Sequence, residues 1–369
     1  MSRIAFTPDP RSTTRVSERL GLRYPIIQGP FGHGFSSAKL IAAVNQAGGL
    51  GSFGLAGIAP ERIFEIGTEI RSLTSGPFAL NLWLPVGGHP LPPDRGAFER
   101  AVRRLTPLYH EVGADPPRWD DLAAHPEPSF EAQVEALLAV RPPIVSFVFG
   151  VPPAGLLREL RRLGIATLAA ATNVVEGRAL EAAGIDVIVA SGSDAGGHRY
   201  AFLRPETHSL TTSALVRQLA GQVSAPIIAA GGIVDSRSVA SAMLLGAEGV
   251  QVGTGFLATH ESGASDAYKA ALVAPVERST VLTTAFTGRA ARALANRIVR
   301  EIDAHPENIL PYPWQYVATR PIRVAAALAG NVEFMSLWAG QNVPLVERQS
   351  AAELMTRLIG HTVLRSEDA

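Results

Sequence analysis

The sequence predicts a (β/α)8 barrel with a proline-rich insertion after the third strand and a helical insertion after the eighth. Three observations predict it. Short apolar runs of strand length recur between residues 24 and 253 and mostly alternate with segments of helical period. Those runs are apolar on both faces, as strands buried in a parallel barrel must be. Glycine turns follow the sixth, seventh and eighth runs, at the rim where a barrel carries its working loops. A doubly wound open sheet competes with this architecture. It is disfavoured because no Gly-x-Gly-x-x-Gly opens the first helix.

The elements follow in order. A polar lead-in, residues 1–20, ends in a short helix, and residues 24–30 form a brief strand stopped by Gly29-Pro30. Residues 37–47 have helical spacing, with Leu40, Ile41 and Val44 on one face and Gly48-Gly49 as the stop. A strand at 50–54, a helix at 60–73 with proline near its start, and a third strand at 78–84 come next. Regularity lapses over 85–128, where nine prolines exclude continuous helix or central strand, although 97–112 keeps a helical pattern. Such an insertion serves as a lid, as a partner surface or as solvated decoration. Helices at 130–139, 153–163, 174–183, 211–223 and 236–245 then alternate with strands at 144–150, 166–171, 187–190, 226–230 and 249–253. Beyond residue 277 no further barrel strand is expected; 289–302 and 320–328 read as helices, and 351–364 as a closing amphipathic helix. The expected division is a barrel of 20–259 with 346–369, and a small helical domain at 260–345.

Composition narrows the function classes. The chain has 369 residues, 47% of them hydrophobic, enough for a large core. Its 33 basic and 33 acidic residues cancel, which leaves no electrostatic footprint for nucleic acid or an acidic membrane. It has no cysteine, so disulfides, thiolate metal sites and a cysteine nucleophile are excluded. The polar N-terminus has no apolar leader core, and no apolar run approaches the ~18 residues of a membrane helix. The expectation is a soluble cytoplasmic protein.

The chemistry concentrates in residues 190–199. A buried strand runs into Gly192, Ser193, Asp194, Gly196 and Gly197 and then into His198. Glycines let a backbone approach a flat or anionic ligand, and a histidine beyond them can exchange a proton near neutral pH. Two further turns, Gly231-Gly232 and Gly253-Thr254, follow consecutive strands. In β/α barrels that pair of loops is the usual phosphate site, because backbone N–H groups and helix starts point at a dianion. A mononucleotide suits it, and flavin mononucleotide (FMN) suits it best, since its flat ring would lie across the strand ends. Gln28 and Asn81, at the ends of strands one and three, could line that ring. The buried Asn81 amide needs a partner, either a ligand amide or a backbone group. His33 is either a site residue or a loop histidine; the other histidines read as structural or solvated, and no spacing suggests a metal.

An ordered set of short motifs carries a resemblance. Residues 25–30 (Pro-Ile-Ile-Gln-Gly-Pro), 81–85 (Asn-Leu-Trp-Leu-Pro), 146–150 (Ser-Phe-Val-Phe-Gly) and 193–198 (Ser-Asp-Ala-Gly-Gly-His) come first. Residues 229–233 (Ala-Ala-Gly-Gly-Ile), 251–254 (Gln-Val-Gly-Thr), Glu261-Ser262, Tyr268-Lys269 and 337–341 (Leu-Trp-Ala-Gly-Gln) follow. In this order they resemble the nitronate monooxygenase family, over roughly residues 24–360. The resemblance implies an FMN barrel with a helical insertion that oxidises alkyl nitronates with O2 to a carbonyl compound and nitrite. It implies His198 as the active-site histidine, Ser193, Gly196 and Gly197 beneath the flavin, and Gly231, Gly232, Gly253 and Thr254 around its phosphate. It also implies Gln28 and Asn81 beside the ring. Asp194 stands where Glu is common, Tyr200 where a small residue is common, Phe31 where Met is frequent and Val148 where some members have a second histidine. These departures bear on substrate more than on cofactor.

Three readings follow. A nitronate is an anion, so His198 either supplies charge or a donor to it, or acts as base toward a neutral nitroalkane. An FMN-dependent enoyl-acyl-carrier-protein reductase shares the Gly-Gly-His turn and would need NAD(P)H. A barrel that holds FMN or a sugar phosphate without turnover is the third. An inosine-monophosphate-dehydrogenase-like mechanism is excluded, because it needs a cysteine.

Overall fold

The apolar runs pair in one parallel sheet. In this computed structural model, which describes residues 13–32, 34–85, 93–120, 128–203, 209–274 and 279–360, the barrel strands are β1 (Ile26–Gln28), β2 (Gly51–Gly54), β3 (Phe78–Trp83), β4 (Ile144–Val148), β5 (Ala166–Ala171) and β6 (Val187–Ser191). A two-residue strand, β7 (Gly197–His198), lies outside the barrel, and β8 (Ile227–Ala230) and β9 (Gly249–Val252) complete the sheet in the order β1-β9-β8-β6-β5-β4-β3-β2. The two ends meet at an isolated parallel bridge between Ile27 and Leu50. There Leu50 N–H donates to the Ile26 carbonyl at 2.9 Å and Gln28 N–H to the Leu50 carbonyl at 2.8 Å, which closes the barrel.

Period-two alternation divides the strand residues between two cores. Ile27, Ala79, Ile144, Leu168, Val189 and Ile228 fill the interior, and Val16 and Leu20 of the helix Arg15–Leu20 join the same cluster. Ile26, Val145, Phe147, Ile188, Ala229 and Val250 face outward onto the helices. The closing helix, Ala351–Ile359, buries Leu354, Met355 and Leu358 in that outer layer. Its expected last turn, 361–364, lies outside the described residues, as do His33 and much of the proline-rich stretch. Among the described residues no helix is long and apolar enough to cross a membrane.

The proline-rich insertion and the segment after β9 share a second core. The helix Arg95–Val112 buries Phe98, Leu105, Leu108 and Tyr109 against Ile298, Ile302, Ala318 and Ile322. The Tyr109 hydroxyl donates to the Ala318 carbonyl at 2.5 Å. This described part is therefore a layer packed on the later helices.

The expected helix at 289–302 is corrected. Residues Thr280–Thr283 (β10) and Ala291–Leu294 (β11) are antiparallel strands, and only Arg297–Asp303 is helical. β11 also pairs with β7, giving a three-stranded sheet in the order β10-β11-β7. The alanine-rich run 290–295 has high helix propensity. The burial of all four β11 residues, with Ala293 and Leu294 in the second core, and the ladder to β7 outweigh it, because propensity is worth only tenths of a kcal/mol per residue.

Gly51 of β2 faces the helix Ala38–Gln46, and a Cβ there would lie 2.6 Å from the Ile41 Cα. Gly51→Ala is expected to lower stability by about 1–3 kcal/mol, the usual cost of overpacking. The measurement is the urea midpoint at constant m-value, and an unmoved midpoint would show that strand and helix can separate freely.

Candidate active site

The rim is assembled where β6, β8 and β9 end. After β6 the chain turns at Gly192, so close to the helix Thr212–Leu219 that a Cβ would lie 2.2 Å from the Thr212 nitrogen. Gly192 N–H donates to the Ala230 carbonyl at 3.0 Å and Ser193 N–H to the Leu210 carbonyl at 2.7 Å. The Asp194 carboxylate accepts Thr212 N–H at 2.6 Å. The carbonyls of this loop are taken by two buried guanidinium groups. Arg199 donates to the carbonyls of Gly192 and, at 3.0 Å, Ser191; Arg292 donates from Nε to the Ser193 carbonyl at 2.7 Å. Burial pulls the pKa of both arginines below the ordinary guanidinium value. Two cations thus lie under the loop, with the carboxylates of Glu176 and Asp194 nearby.

His198 sits on β7, where its backbone pairs with Ala291 of β11. Its ring centroid lies 5.3 Å from Trp83 and 5.2 Å from Trp338, with Phe149 at 6.4 Å. Its Nε2 is 3.0 Å from the Thr287 hydroxyl. Phe149, directly after β4, has φ 73°, a conformation that a bulky side chain adopts only when its surroundings impose it. The Arg289 guanidinium stacks 3.9 Å from its ring centroid. Tyr200 packs edge-on against Phe149 at 5.2 Å and contacts the barrel interior, so it points inward; burial pushes its phenol pKa up.

The segment 337–342 ties the rim together. Trp338 pairs with Ala293 and its carbonyl accepts the Tyr268 hydroxyl at 3.0 Å. Gly196 lets this segment approach, since a Cβ there would lie 2.6 Å from the Ala339 carbonyl carbon. Gln341 N–H donates to the Asp194 carbonyl at 3.0 Å, Gly340 N–H to the Thr254 hydroxyl at 2.9 Å, and Asn342 Nδ2 to the Gly232 carbonyl at 2.6 Å. Ser193, Gly196, Gly197, His198, Gly231, Gly232, Gly253 and Thr254 therefore gather around one rim. Among the described residues the N–H groups of Gly232 and Thr254 donate to no protein acceptor.

The two remaining candidates differ. Asn81 faces the barrel interior, 3% exposed, and donates to the Ser146 carbonyl and hydroxyl at 3.2 and 3.0 Å. Gln28 is fully buried in the seam between β1 and β2: its Oε1 accepts Ser52 N–H at 2.8 Å and its Nε2 donates to the Gly29 carbonyl. Sequence reasoning passed over Thr287, Arg199, Arg292 and Asn342. Thr287-Gly288 carries a turn signal of its own; the others become visible only once the loops meet.

The chain matches the family model described as nitronate monooxygenase over residues 13–361. It is 42% identical to a nitronate monooxygenase of Pseudomonas aeruginosa, over 94% of this chain and 98% of that one. Among solved structures it resembles nitroalkane oxidase from Streptomyces ansochromogenes, with TM-score 0.83 and 35% identity, covering 94% of this chain and 96% of that one. It also resembles FabK from Thermotoga maritima, with TM-score 0.73 and 28% identity over 94% and 95% of the two chains.

The Gln28 amide takes the place of a ladder bond at the seam, and Ser52 is itself 2% exposed. Gln28→Leu is expected to cost about 1–3 kcal/mol, the penalty for a buried N–H left without a partner. Thermal unfolding measures it, and an unshifted transition would show that the seam does not depend on the amide.

Proposed function

We start from the fact that the chain belongs to the nitronate monooxygenase family, and we propose that it uses FMN to oxidise alkyl nitronates with O2 to a carbonyl compound and nitrite. The observation that carries this reading is His198, held in an aromatic cage at the lip of a glycine-lined cradle. The residues present fit a flavin mononucleotide. A Cβ on Gly197 or Gly253 would meet nothing within 4 Å, so these two backbone turns border open space, while a Cβ on Gly232 would already touch Asn342 and Asp194 at 3.6 Å. Gly232 has φ 73°, which turns its backbone as a glycine can and a larger residue resists. With Gly231, Gly253 and Thr254 it would hold the phosphate through N–H groups and a hydroxyl. The two buried guanidinium groups take up the Ser191, Gly192 and Ser193 carbonyl oxygens, which removes those acceptors from the side an anion would approach.

Asn81 and Ser193 would stand beside and beneath the ring, with Gly196 and Gly197 keeping the backbone close to it. Gln28 would support that wall from the seam, its amide being engaged there. When bound, the flavin supplies the redox chemistry, taking electrons from the nitronate and passing them to oxygen. The chain's part is position and protons. Trp83, Phe149, Tyr200 and Trp338 form an apolar surround for the carbon chain of a substrate and exclude water. His198 takes the proton from a neutral nitroalkane or holds the anion once formed.

The decisive experiment is the visible spectrum of purified protein before and after anaerobic addition of a nitronate. Bleaching of a bound flavin supports the reading. Bleaching by NAD(P)H and none by nitronate would favour the reductase instead, and a yellow protein inert to both would leave a binding barrel.

Two variants test the site. Gly232→Val should yield colourless protein, because a β-branched residue resists that φ and obstructs the phosphate; a fully flavinylated variant would overturn the cradle. His198→Asn should keep its flavin and lose turnover of neutral nitroalkanes by about 10²–10⁴-fold, the range for general acid–base help. A base role spares pre-formed nitronates, whereas an anion-holding role raises their KM as well. If neither substrate slows by about tenfold, roughly 1.4 kcal/mol of barrier, His198 does no chemistry.

A further inference from the structure

Glu176 lies in the first turn of the helix Val174–Ala183 and is fully buried. A carboxylate only accepts hydrogen bonds, and this one meets four donors. Its Oε2 takes the Thr172 N–H and the Thr172 hydroxyl, both at 2.8 Å, directly after β5. Its Oε1 takes Phe202 N–H at 2.7 Å and Leu203 N–H at 3.1 Å. Those bonds and the helix start offset the cost of burying the charge. Arg199 feels that charge, but its guanidinium is spent on the carbonyls of Ser191 and Gly192. The chain from His198 to Leu203 is thus held at two ends. At one end β7 pairs with β11 and Arg199 N–H donates to the Ala290 carbonyl at 2.9 Å. At the other, Glu176 holds Phe202 and Leu203. Tyr200 stands between these anchors. Its ring packs edge-on against Phe149 at 5.2 Å, and the Phe149 ring lies 4.9 Å from Trp83 and 6.4 Å from His198.

We propose that Glu176 is a positioning residue for substrate specificity: by tying Phe202 and Leu203 to the end of β5 it fixes Tyr200 as a wall of the substrate pocket, which limits the length of carbon chain that fits. This rests on the reading of His198 and its aromatic surround as the place where a nitronate binds. A tyrosine limits a chain only if its backbone cannot retreat, and the four bonds to Glu176 prevent that retreat. The side chain must accept at both oxygens and must reach. An amide in its place would set its own N–H2 against two donors, and an aspartate would withdraw both acceptors by one methylene.

The test compares kcat/KM for the nitronates of nitroethane and nitrohexane in the flavin-loaded parent, Glu176→Gln and Glu176→Asp, with flavin content as the reference for turnover. The parent should favour the short chain. Both variants should raise the long-to-short ratio by about tenfold or more, since one methylene in an apolar pocket is worth about 10–200-fold, and the gain should lie in KM for the long chain. Amide hydrogen exchange at Phe202 and Leu203 should be faster in both variants than in the parent. Tyr200→Gly should raise the ratio as well, and in that background neither change at Glu176 should raise it further, because the two residues act as one unit. Glu176→Asp keeps the charge beside Arg199, so a shift confined to Glu176→Gln would place the effect on Arg199 and overturn the proposal. If the glutamine variant does not fold, the aspartate variant decides alone. A parent without preference for the short chain, an unchanged ratio or unchanged exchange in Glu176→Asp, or additive gains in the Tyr200→Gly background also overturns it. If the flavin-loaded parent oxidises neither nitronate, the reading of the site fails and the proposal falls with it. If it oxidises both and only Tyr200→Gly alters the ratio, the reading stands and Glu176 has no part in specificity.

Discussion

The rim depends on the antiparallel register that sets Ala291 opposite His198 and Arg292 opposite Gly197. Two residues of ladder are a weak link by themselves, at about 0.5–1.5 kcal/mol for each neutral hydrogen bond. The register is reinforced by its side chains. Arg292 reaches from β11 to the Ser193 carbonyl, Arg199 reaches back to Ser191 and Gly192, and Arg199 N–H donates to the Ala290 carbonyl at 2.9 Å. Hydrogen bonds from a charged donor contribute about 1.5–3 kcal/mol each. The loop is over-determined, which is the condition under which strained conformations such as that of Phe149 persist.

The same contacts occupy the oxygens of the loop. Carbonyl oxygens left facing the rim would repel an anion. Here the oxygens of Ser191, Gly192 and Ser193 are turned onto two guanidinium groups, and the Asp194 carboxylate is occupied by the Thr212 amide. What remains on the open side includes the Cα atoms of Gly197 and Gly253, where a Cβ would meet nothing within 4 Å.

The region after β9 is part of the site as well as a neighbour of it. Its Tyr268 holds the Trp338 carbonyl, its β11 carries the partner of His198, and Gly340, Gln341 and Asn342 bond respectively to Thr254, Asp194 and Gly232. The helix Arg95–Val112 packs behind these elements through Phe98 and Tyr109. A barrel with only its own loops would leave His198 on an unsupported turn.

The features that the sequence by itself determined are those written in a residue's own stereochemistry. Short runs apolar on both faces marked the eight barrel strands, helical spacing marked the layer around them, and glycines at 192, 196, 197, 231, 232 and 253 marked where the backbone turns or is approached. His198 stood out because a titratable ring follows such a turn. Tertiary structure decided what those residues meet. Arg292 finds Ser193 across 99 residues of chain, and Thr287 finds His198 across 89. No local pattern encodes either meeting. The alanine-rich run at 290–295 even argues for helix on propensity, and becomes a strand because a waiting strand edge and a buried face outweigh a preference of tenths of a kcal/mol per residue. Gln28 was legible as a polar group in a buried strand. That its amide closes the barrel seam follows only from the meeting of the first and second strands, a contact that exists once the sheet has curved back on itself.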